Sequence, residues 1–485
     1  MSALIVACML IPLATALAAA LLGTRPAAQR GLSFVGVGLF FATAVALLVT
    51  VLRHDVIRVT MGGWPAPFGI ELVADPLAAG MVLITATMGL ATLVFQLGDA
   101  DPSPEAPTLL PLVHAMLAAV TGSFLTGDLF NLYVWLELML VASLGLLAYR
   151  TGRDHLEATL KYFVLNALGT LLALAGIAYL HAATGHLGFG ALAAAAREGD
   201  PTRLAPFIVM VALAFAVKSG AFPLFAWLPA SYHTLPAPLL ALFAGLLTKV
   251  GVYALLRLLG GIFPATPGFV FEALAWVAAA TMLFGVLGAA YHWDVRRILA
   301  FHIISQIGYM LLGIALDSAA GREGTVFYIV HHIVVKANLF FVAALIFRYT
   351  GSYDLRRSGG LFATRPALAA IFAVPALSLV GIPPLSGFWA KLLVVRETLV
   401  QGRWVLAAIA LVVGFLTFYS MAKIWIGAFW KNHPDPAWQP HTDSRLGPGY
   451  VVTAALALVT LTIGLAPEQC LKFAALAAEN LGEVK

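Results

Sequence analysis

The chain has 485 residues, of which 61% are hydrophobic and only 11% are charged, and its mean hydropathy is +0.94. These values lie far outside the range of soluble globular domains. The modest net charge of +5 gives no basis for nucleic-acid binding. The two cysteines lie at opposite ends of the chain without a Cys/His cluster, so we expect neither a disulfide framework nor a metal site. We also expect that the chain itself holds no cofactor.

Apolar runs of about twenty residues recur along the whole chain, and each is long enough to cross a bilayer as a helix. We predict an all-α polytopic membrane protein in which residues 1–485 form one membrane domain of about fourteen transmembrane helices. The predicted spans lie near residues 2–22, 31–52, 76–97, 109–126, 128–149, 160–181, 205–228, 236–258, 270–291, 298–316, 325–348, 366–397, 404–430 and 449–466.

The distribution of arginine and lysine between the loops indicates the orientation. If the N-terminus lies outside, the cytoplasmic loops contain the larger share of basic residues, among them Arg153, Arg296, Arg297 and Arg356. The sequence therefore predicts that both termini lie outside.

Two spans contain helix breakers in their interiors. Pro223 lies within the seventh predicted span, and Pro383 and Pro384 lie within the twelfth. Proline removes a backbone donor and clashes with the preceding turn, so each helix should be interrupted there. Broken helices at membrane depth mark transport sites.

The two breaks are separated by about 160 residues, and the spans on either side follow the same offset. This spacing predicts two five-helix repeats, at residues 109–258 and 270–430, with flanking helices in 1–97 and 449–485. Because each repeat has an odd number of helices, the second repeat must be inverted relative to the first.

Five ionisable residues lie in the middle of apolar runs: Glu137, Lys218, Lys249, Lys336 and Lys391. A charge at the bilayer centre costs roughly 2.5–3.5 kcal/mol on insertion scales, so such residues normally have a function. A single lysine could instead bind the free carbonyls of a broken helix. For the whole set, a path for protons or ions is the interpretation that the sequence favours.

Histidines accompany these residues. His332 and Lys336 are four residues apart and share one face of a helix, and His331 precedes them. His302 and His233 lie near span ends, where an interfacial role is the alternative. Glu137 could be an isolated Na⁺ ligand, but hard cations favour several oxygen ligands, and lysines and histidines suit protons better.

Several motifs around these residues resemble those of the antiporter-like subunits shared by respiratory complex I, membrane-bound hydrogenases and Mrp-type Na⁺/H⁺ antiporters. The resemblance covers roughly residues 75–430. Its motifs are Lys218-Ser219-Gly220-Ala221-Phe222-Pro223, Leu247-Thr248-Lys249-Val250-Gly251-Val252-Tyr253, Arg297-Ile298-Leu299-Ala300, Ser305-Gln306-Ile307-Gly308-Tyr309, His332 to Lys336, and Gly387-Phe388-Trp389-Ala390-Lys391.

The resemblance implies a role for each matching residue. Glu137 and Lys218 would form the ion pair of one half-channel, Lys249 would link it to the centre, and His332 with Lys336 would continue a hydrated axis to Lys391. The family fold has two inverted five-helix repeats, in agreement with the spacing above.

Chain length and the lysine at position 391 favour the Mrp D-type subunits. These belong to hetero-oligomeric complexes of membrane subunits in the bacterial cytoplasmic membrane, which exchange Na⁺ or K⁺ for protons and are transporters rather than enzymes. A proton-pumping subunit of complex I or a hydrogenase, and a scaffold without transport activity, remain as alternatives.

Overall fold

The computed structural model describes residues 1–64, 69–98, 107–149, 152–439 and 446–482. These residues are almost entirely helical. In chain order the elements are α1 Ser2–Leu21, α2 Pro26–His54, β1 Ile57–Thr60, β2 Glu71–Ala74, α3 Pro76–Gln96, α4 Leu109–Leu125, α5 Leu129–Ala148, α6 Arg153–Thr184, α7 Phe189–Glu198, α8 Pro201–Ser219, α9 Trp227–Ser231, α10 Ala237–Arg257, α11 Gly268–Tyr291, α12 Val295–Ala315, α13 Ala319–Thr350, α14 Leu361–Thr364, α15 Pro366–Val380, α16 Ser386–Val400, α17 Trp404–Ile424, α18 Gly447–Leu465 and α19 Glu468–Gly482.

The predicted fold class, an all-α multi-pass membrane protein, is confirmed. Within the described ranges, twelve helices are long and apolar enough to cross a bilayer. Two shorter apolar helices, α4 and α15, add to them. The total of fourteen spans stays a prediction, because α4 is short and α15 is only one half of an interrupted helix.

Three helices form the centre of the bundle. The apolar window of α10 is 100% buried, and those of α12 and α13 are 94% buried, whereas α1, α6, α17 and α18 reach only 39%. The outer helices therefore separate the three central ones from lipid. A polar side chain on α10, α12 or α13 must find its partners inside the protein or in enclosed water.

The two predicted helix interruptions are present. α8 ends at Ser219, where Gly220 adopts a left-handed φ of +79°, and helix resumes only at Trp227. The indole nitrogen of Trp227 donates to the carbonyl of Val217, at 3.1 Å, across this first break. α15 ends in the same way at Gly381, with a φ of +96°, and α16 begins at Ser386. The first break contains a cis peptide bond at Phe222-Pro223, and the second contains one at Pro383-Pro384.

Several features of the first predicted repeat recur in the second. α6 and α13 each have 32 residues. An isolated bridge pairs Asp128, the N-cap of α5, with Gly188, and a second pairs Asp294, the N-cap of α12, with Asp354. A π-helical turn follows both α10 and α17. These parallels support the division into two repeats, which itself stays a prediction.

A β-hairpin and the helices α7 and α19 are among the elements that lie outside the predicted spans. β1 and β2 form an antiparallel hairpin in which Ile57 pairs with Ala74. The helices α7 and α19 have 10 and 15 residues. Both helices are shorter than a bilayer crossing, so a search for long apolar runs does not detect them.

Gly251 allows α10 to pack closely on the end of α8. A Cβ atom at this position would lie 2.5 Å from the backbone nitrogen of Ser219 and 2.8 Å from the carbonyl carbon of Lys218. We predict that Gly251→Ala separates the two helices and lowers stability by about 1–3 kcal/mol, the usual effect of overpacking.

The measurement is the thermal unfolding midpoint of the detergent-solubilised protein. Gly38→Ala on α2 is the matched control, since a Cβ atom there has no neighbour within 4 Å. Equal midpoints for the two variants would contradict the prediction.

Candidate functional site

Lys249 and Lys336 place two amino groups in the centre of the bundle. Both side chains are 0% exposed. The Lys249 Nζ donates to the carbonyl of Ala244 on its own helix, and the Lys336 Nζ donates to the carbonyl of Leu299 on α12 at 3.0 Å. Within the described part of the chain, neither lysine forms an ion pair with a carboxylate. Two buried cations without counter-ions are costly unless their charge is variable or hydrated.

His302 and His332 lie beside these lysines. Both histidines are 0% exposed, and no described residue forms a hydrogen bond with either of their ring nitrogens. Electrostatic interactions connect His332 with both lysines and connect His302 with Lys336. Helices α10, α12 and α13 therefore bring together four of the predicted residues. We refer to Lys249, His302, His332 and Lys336 as the central cluster.

Lys391 lies at the second helix break. Its Nζ donates to the carbonyl of Val380, the last residue of α15, at 2.7 Å, and lies 5.1 Å from the centre of the Tyr309 ring. The lysine therefore binds a free carbonyl of the broken helix. Its charge also interacts with His302, which links it to the central cluster. A cavity of about 480 Å³ with mainly apolar walls adjoins the ammonium group.

His331 contacts the second break rather than the central cluster. Its Nδ1 lies 2.8 Å from the Ser386 hydroxyl, which lies 2.9 Å from the hydroxyl of Ser378. The Ser378 hydroxyl accepts from the backbone nitrogen of Gly387 at 3.1 Å. Sequence analysis did not single out these serines, although they flank the glycine and proline residues of the break. His331 and His332 are adjacent in sequence but have different partners.

Lys218 and Glu137 belong to the first break. Lys218 is 4% exposed and is the penultimate residue of α8. The Glu137 carboxylate on α5 interacts electrostatically with it. No nitrogen–oxygen distance of 4.0 Å or less joins the two side chains among the described residues. The structure thus brings the two residues near each other, and a direct ion pair stays a prediction.

His233 lies apart from the other predicted residues, between α9 and α10. Its Nδ1 is 3.0 Å from the Pro229 carbonyl, and its Nε2 is 3.3 Å from Nη2 of Arg297. Burial and the neighbouring Arg297 guanidinium lower the pKa of His233. The side chain lines a cavity of about 860 Å³ bounded by the start of α6, the first break and the α11–α12 turn. We call this space the polar cavity.

The helices that carry these residues fall within one family match. The sequence profile described as "NADH:quinone oxidoreductase/Mrp antiporter, TM" matches residues 126–417, more than half of the chain. The chain belongs to this family. The match extends from the start of α5 into α17, so it includes both helix breaks and every predicted site residue.

Individual members of the NADH:quinone oxidoreductase/Mrp antiporter family are similar to this chain over most of its length. The D-type subunit of an Na(+)/H(+) antiporter from Alkalihalophilus pseudofirmus is 39% identical, over 99% of this chain and 97% of its own length. The N-type subunit of an NADH-quinone oxidoreductase from Desulforudis audaxviator is 35% identical, over 88% of this chain and 86% of its own. A chain of the solved Mrp complex from Dietzia sp. has a TM-score of 0.91 at 32% identity and covers 100% of this chain and 98% of its own.

This family member contains a buried ion pair that sequence analysis missed. Nη2 of Arg257, at the end of α10, lies 2.6 Å from Oδ1 of Asp75, and both side chains are almost fully buried. Nε of Arg257 donates to the Tyr253 hydroxyl, which donates to the Phe124 carbonyl at 2.7 Å. The two charges are 182 residues apart in sequence, so spacing could not reveal the pair.

Removing one charge of this pair should destabilise the protein strongly. In Asp75→Asn, the guanidinium of Arg257 loses its counter-ion, which typically costs about 3–5 kcal/mol for a buried pair. Asparagine also caps helices, so the cap that Asp75 provides to Ala78 of α3 should persist. Any loss of stability in Asp75→Asn should therefore come from the missing negative charge and not from a missing helix cap.

The thermal unfolding midpoint measures the effect. Glu71→Gln is the matched control, because the Arg58–Glu71 pair is about one-third exposed and should contribute less than about 1 kcal/mol. A midpoint for Asp75→Asn as high as that of the control would show that the buried pair is dispensable.

Proposed function

We propose that the chain is the D-type subunit of a multisubunit antiporter that exchanges Na⁺ or K⁺ for protons in a bacterial cytoplasmic membrane. Its own task is to move protons along a buried axis, which consists of Glu137, Lys218, the central cluster and Lys391. The observation that carries the proposal is the central cluster itself. It holds two amino groups and two imidazoles, all fully buried and without a carboxylate partner among the described residues.

Chemistry favours protons over metal cations as the species that moves along this axis. Hard cations such as Na⁺ need several oxygen ligands, and the cluster offers nitrogen donors instead. Imidazoles and desolvated amino groups can both accept and release protons near neutral pH. The exchanged cation would then cross elsewhere in the assembly.

Enclosed water would connect the members of the axis. The ring nitrogens of His302 and His332, the Thr248 hydroxyl and the Asn338 amide have no hydrogen-bond partner among the described residues. Buried polar groups of this kind are the ones that ordered water satisfies. A water chain along α10, α12 and α13 would let a proton pass between groups that do not touch.

The pair at the first break would control proton entry. While Glu137 is near Lys218, the carboxylate stabilises the protonated amine. If movement of the broken helix separates them, the desolvated ammonium loses its partner and releases its proton toward Lys249. About 1.36 kcal/mol of altered interaction changes an equilibrium tenfold, so a small movement suffices.

The relatives support the antiporter assignment and also define the alternative. The D-type protein of the Na⁺/H⁺ antiporter from Alkalihalophilus pseudofirmus aligns over nearly the whole chain, and the Mrp complex of Dietzia sp. contains a chain of the same fold. Other membrane subunits would be its partners, and both termini would lie outside. The similarity to the N-type subunit of an NADH-quinone oxidoreductase keeps a redox-driven proton pump as the second candidate.

The carboxylate of Glu137 is the group whose replacement tests this function most simply. We predict that Glu137→Gln abolishes cation-dependent proton transport, because the neutral amide cannot stabilise the Lys218 ammonium. The assay follows the dissipation of a pH gradient by Na⁺ or K⁺ in everted vesicles that contain the native gene cluster. Subunit content is measured on the same vesicles, and we expect it to be unchanged.

Glu272→Gln on α11 is the matched control. Glu272 is half exposed and pairs with Arg403 at 3.0 Å, so its loss should leave transport intact. Transport at the wild-type rate by Glu137→Gln would remove the pair from the mechanism. If wild-type vesicles respond to neither cation but form a gradient on oxidation of NADH, a quinol or hydrogen, the redox-pump alternative is correct.

A further inference from the structure

The cavity beside the second break opens on the outer surface of the bundle. It has a volume of about 480 Å³ and lies between α12, the second break, α16 and α17. Leu411 and Phe415 of α17 line it and are 61% and 73% exposed, and Leu392 of α16 is 39% exposed. Exposed apolar side chains on a transmembrane helix contact lipid, so the cavity opens sideways into the bilayer. We call this space the lateral cavity.

The lateral cavity contains an ammonium group at mid-membrane depth. Among the described residues that line it, Lys391 alone carries a charge, and this side chain is partly exposed. A Cβ atom on Gly414 would lie 3.8 Å from Nζ of Lys391, so the glycine leaves the space in front of the ammonium open. Gly414 is the middle residue of α17, which has 21 residues. The ammonium is therefore reached from the centre of the bilayer and not from an interface.

The Lys391 ammonium has donors to spare. It carries three N–H donors, and the Val380 carbonyl accepts from one of them at 2.7 Å. The nearby Tyr309 hydroxyl donates to the Ala410 carbonyl. Within the described part of the chain, no carboxylate lies within 4.0 Å of Nζ. A charge with apolar surroundings needs a counter-ion, so an anion that enters the lateral cavity would supply a partner that these residues do not.

The shape of the lateral cavity favours a hydrophobic anion with one small charged end. Its volume lies within the range of about 300–1,000 Å³ that is usual for small-molecule sites, and such sites combine apolar walls with a few polar groups. A helix with its side chains is about 10–12 Å across, so a helix of a partner subunit would rest on Leu411 and Phe415. A single alkyl chain is thin enough to pass these side chains. A carboxylate at its end would accept charge-assisted hydrogen bonds from Lys391.

We propose that the lateral cavity is a binding site for a long-chain fatty acid, with the carboxylate on Lys391 and the chain directed past α17 into the lipid. The acid would arrive through the bilayer as neutral RCOOH. Its O–H bond breaks and the proton goes to the neutral amine of Lys391, which leaves a carboxylate in contact with an ammonium. If Lys391 belongs to the proton axis, as proposed above, this carboxylate would stabilise the protonated lysine and slow transport.

The test is photo-crosslinking of the complete complex. The complex encoded by the native gene cluster is reconstituted in phosphatidylcholine nanodiscs and illuminated with a palmitate analogue that carries a diazirine in its chain and a terminal alkyne. Trypsin cleaves after Arg403 and Lys423, so peptide 404–423 reports label on α17. We expect label on this peptide. Excess oleate should compete for it at least about tenfold better than methyl oleate, because the ester cannot bind as an anion.

Two substitutions separate the cavity from the charge. Gly414→Leu fills the space in front of the ammonium and should lower the label on peptide 404–423 about tenfold. Gly38→Leu on α2 is the matched control, since a Cβ atom there has no neighbour within 4 Å, and it should label like wild type. Lys391→Met should abolish the preference for oleate over methyl oleate, whereas Lys391→Arg should keep it.

Two results would overturn the proposal. One is the absence of label on peptide 404–423 while other lipid-facing peptides are labelled, as expected if a partner subunit covers the lateral cavity. The other is equal competition by oleate and methyl oleate in wild type, which would mean that alkyl chains enter without recognition of the carboxylate. This competition requires no variant, so it decides the case even if Gly414→Leu does not accumulate. Label is measured without ion transport, so a failed site is distinguishable from a failed antiporter assignment.

Discussion

The free energy of keeping an ammonium group away from water is the constraint on which the rest of this structure depends. A lysine near the centre of a bilayer costs several kcal/mol or more, depending on how it is solvated. Lys249 and Lys336 avoid lipid because α10 and α13 are enclosed by other helices. Each ammonium then finds one backbone carbonyl. The remaining N–H donors of each ammonium and the ring nitrogens of the neighbouring imidazoles have no such partner among the described residues. Enclosed water is the group that would form hydrogen bonds with them.

The two helix breaks provide partners for their buried polar groups in different ways. At the second break, Lys391 binds the free carbonyl of Val380, and the hydroxyls of Ser378 and Ser386 close the gap between the two half-helices. At the first break, the indole of Trp227 donates to the carbonyl of Val217, and Lys218 interacts electrostatically with Glu137 instead of binding a described carbonyl of the break.

The sequence predicted the features that local chemistry decides. Apolar runs predicted the membrane helices, and Pro223, Pro383 and Pro384 predicted the breaks, because both depend on a few neighbouring residues. The spacing of four between His332 and Lys336 likewise predicted a shared face, which their electrostatic contact supports.

Features that depend on packing could not be predicted in this way. Adjacent residues on a helix point about 100° apart, so only the neighbouring helices show that His331 contacts Ser386 while His332 belongs to the central cluster. Asp75 lies before the first predicted repeat and Arg257 lies near its end, so only the folded chain brings the two residues together.

The account is tested most directly at Lys249, the fully buried amine on the fully buried helix. The measurement compares Na⁺- and K⁺-dependent dissipation of a pH gradient in vesicles with wild-type complex and with Lys249→Met, with subunit content checked in both. Methionine is unbranched and flexible like lysine, and only one atom shorter, but it cannot carry a proton. We expect the complex to assemble and cation-dependent proton movement to be lost. Undiminished proton movement in the variant would contradict a proton path through the central cluster.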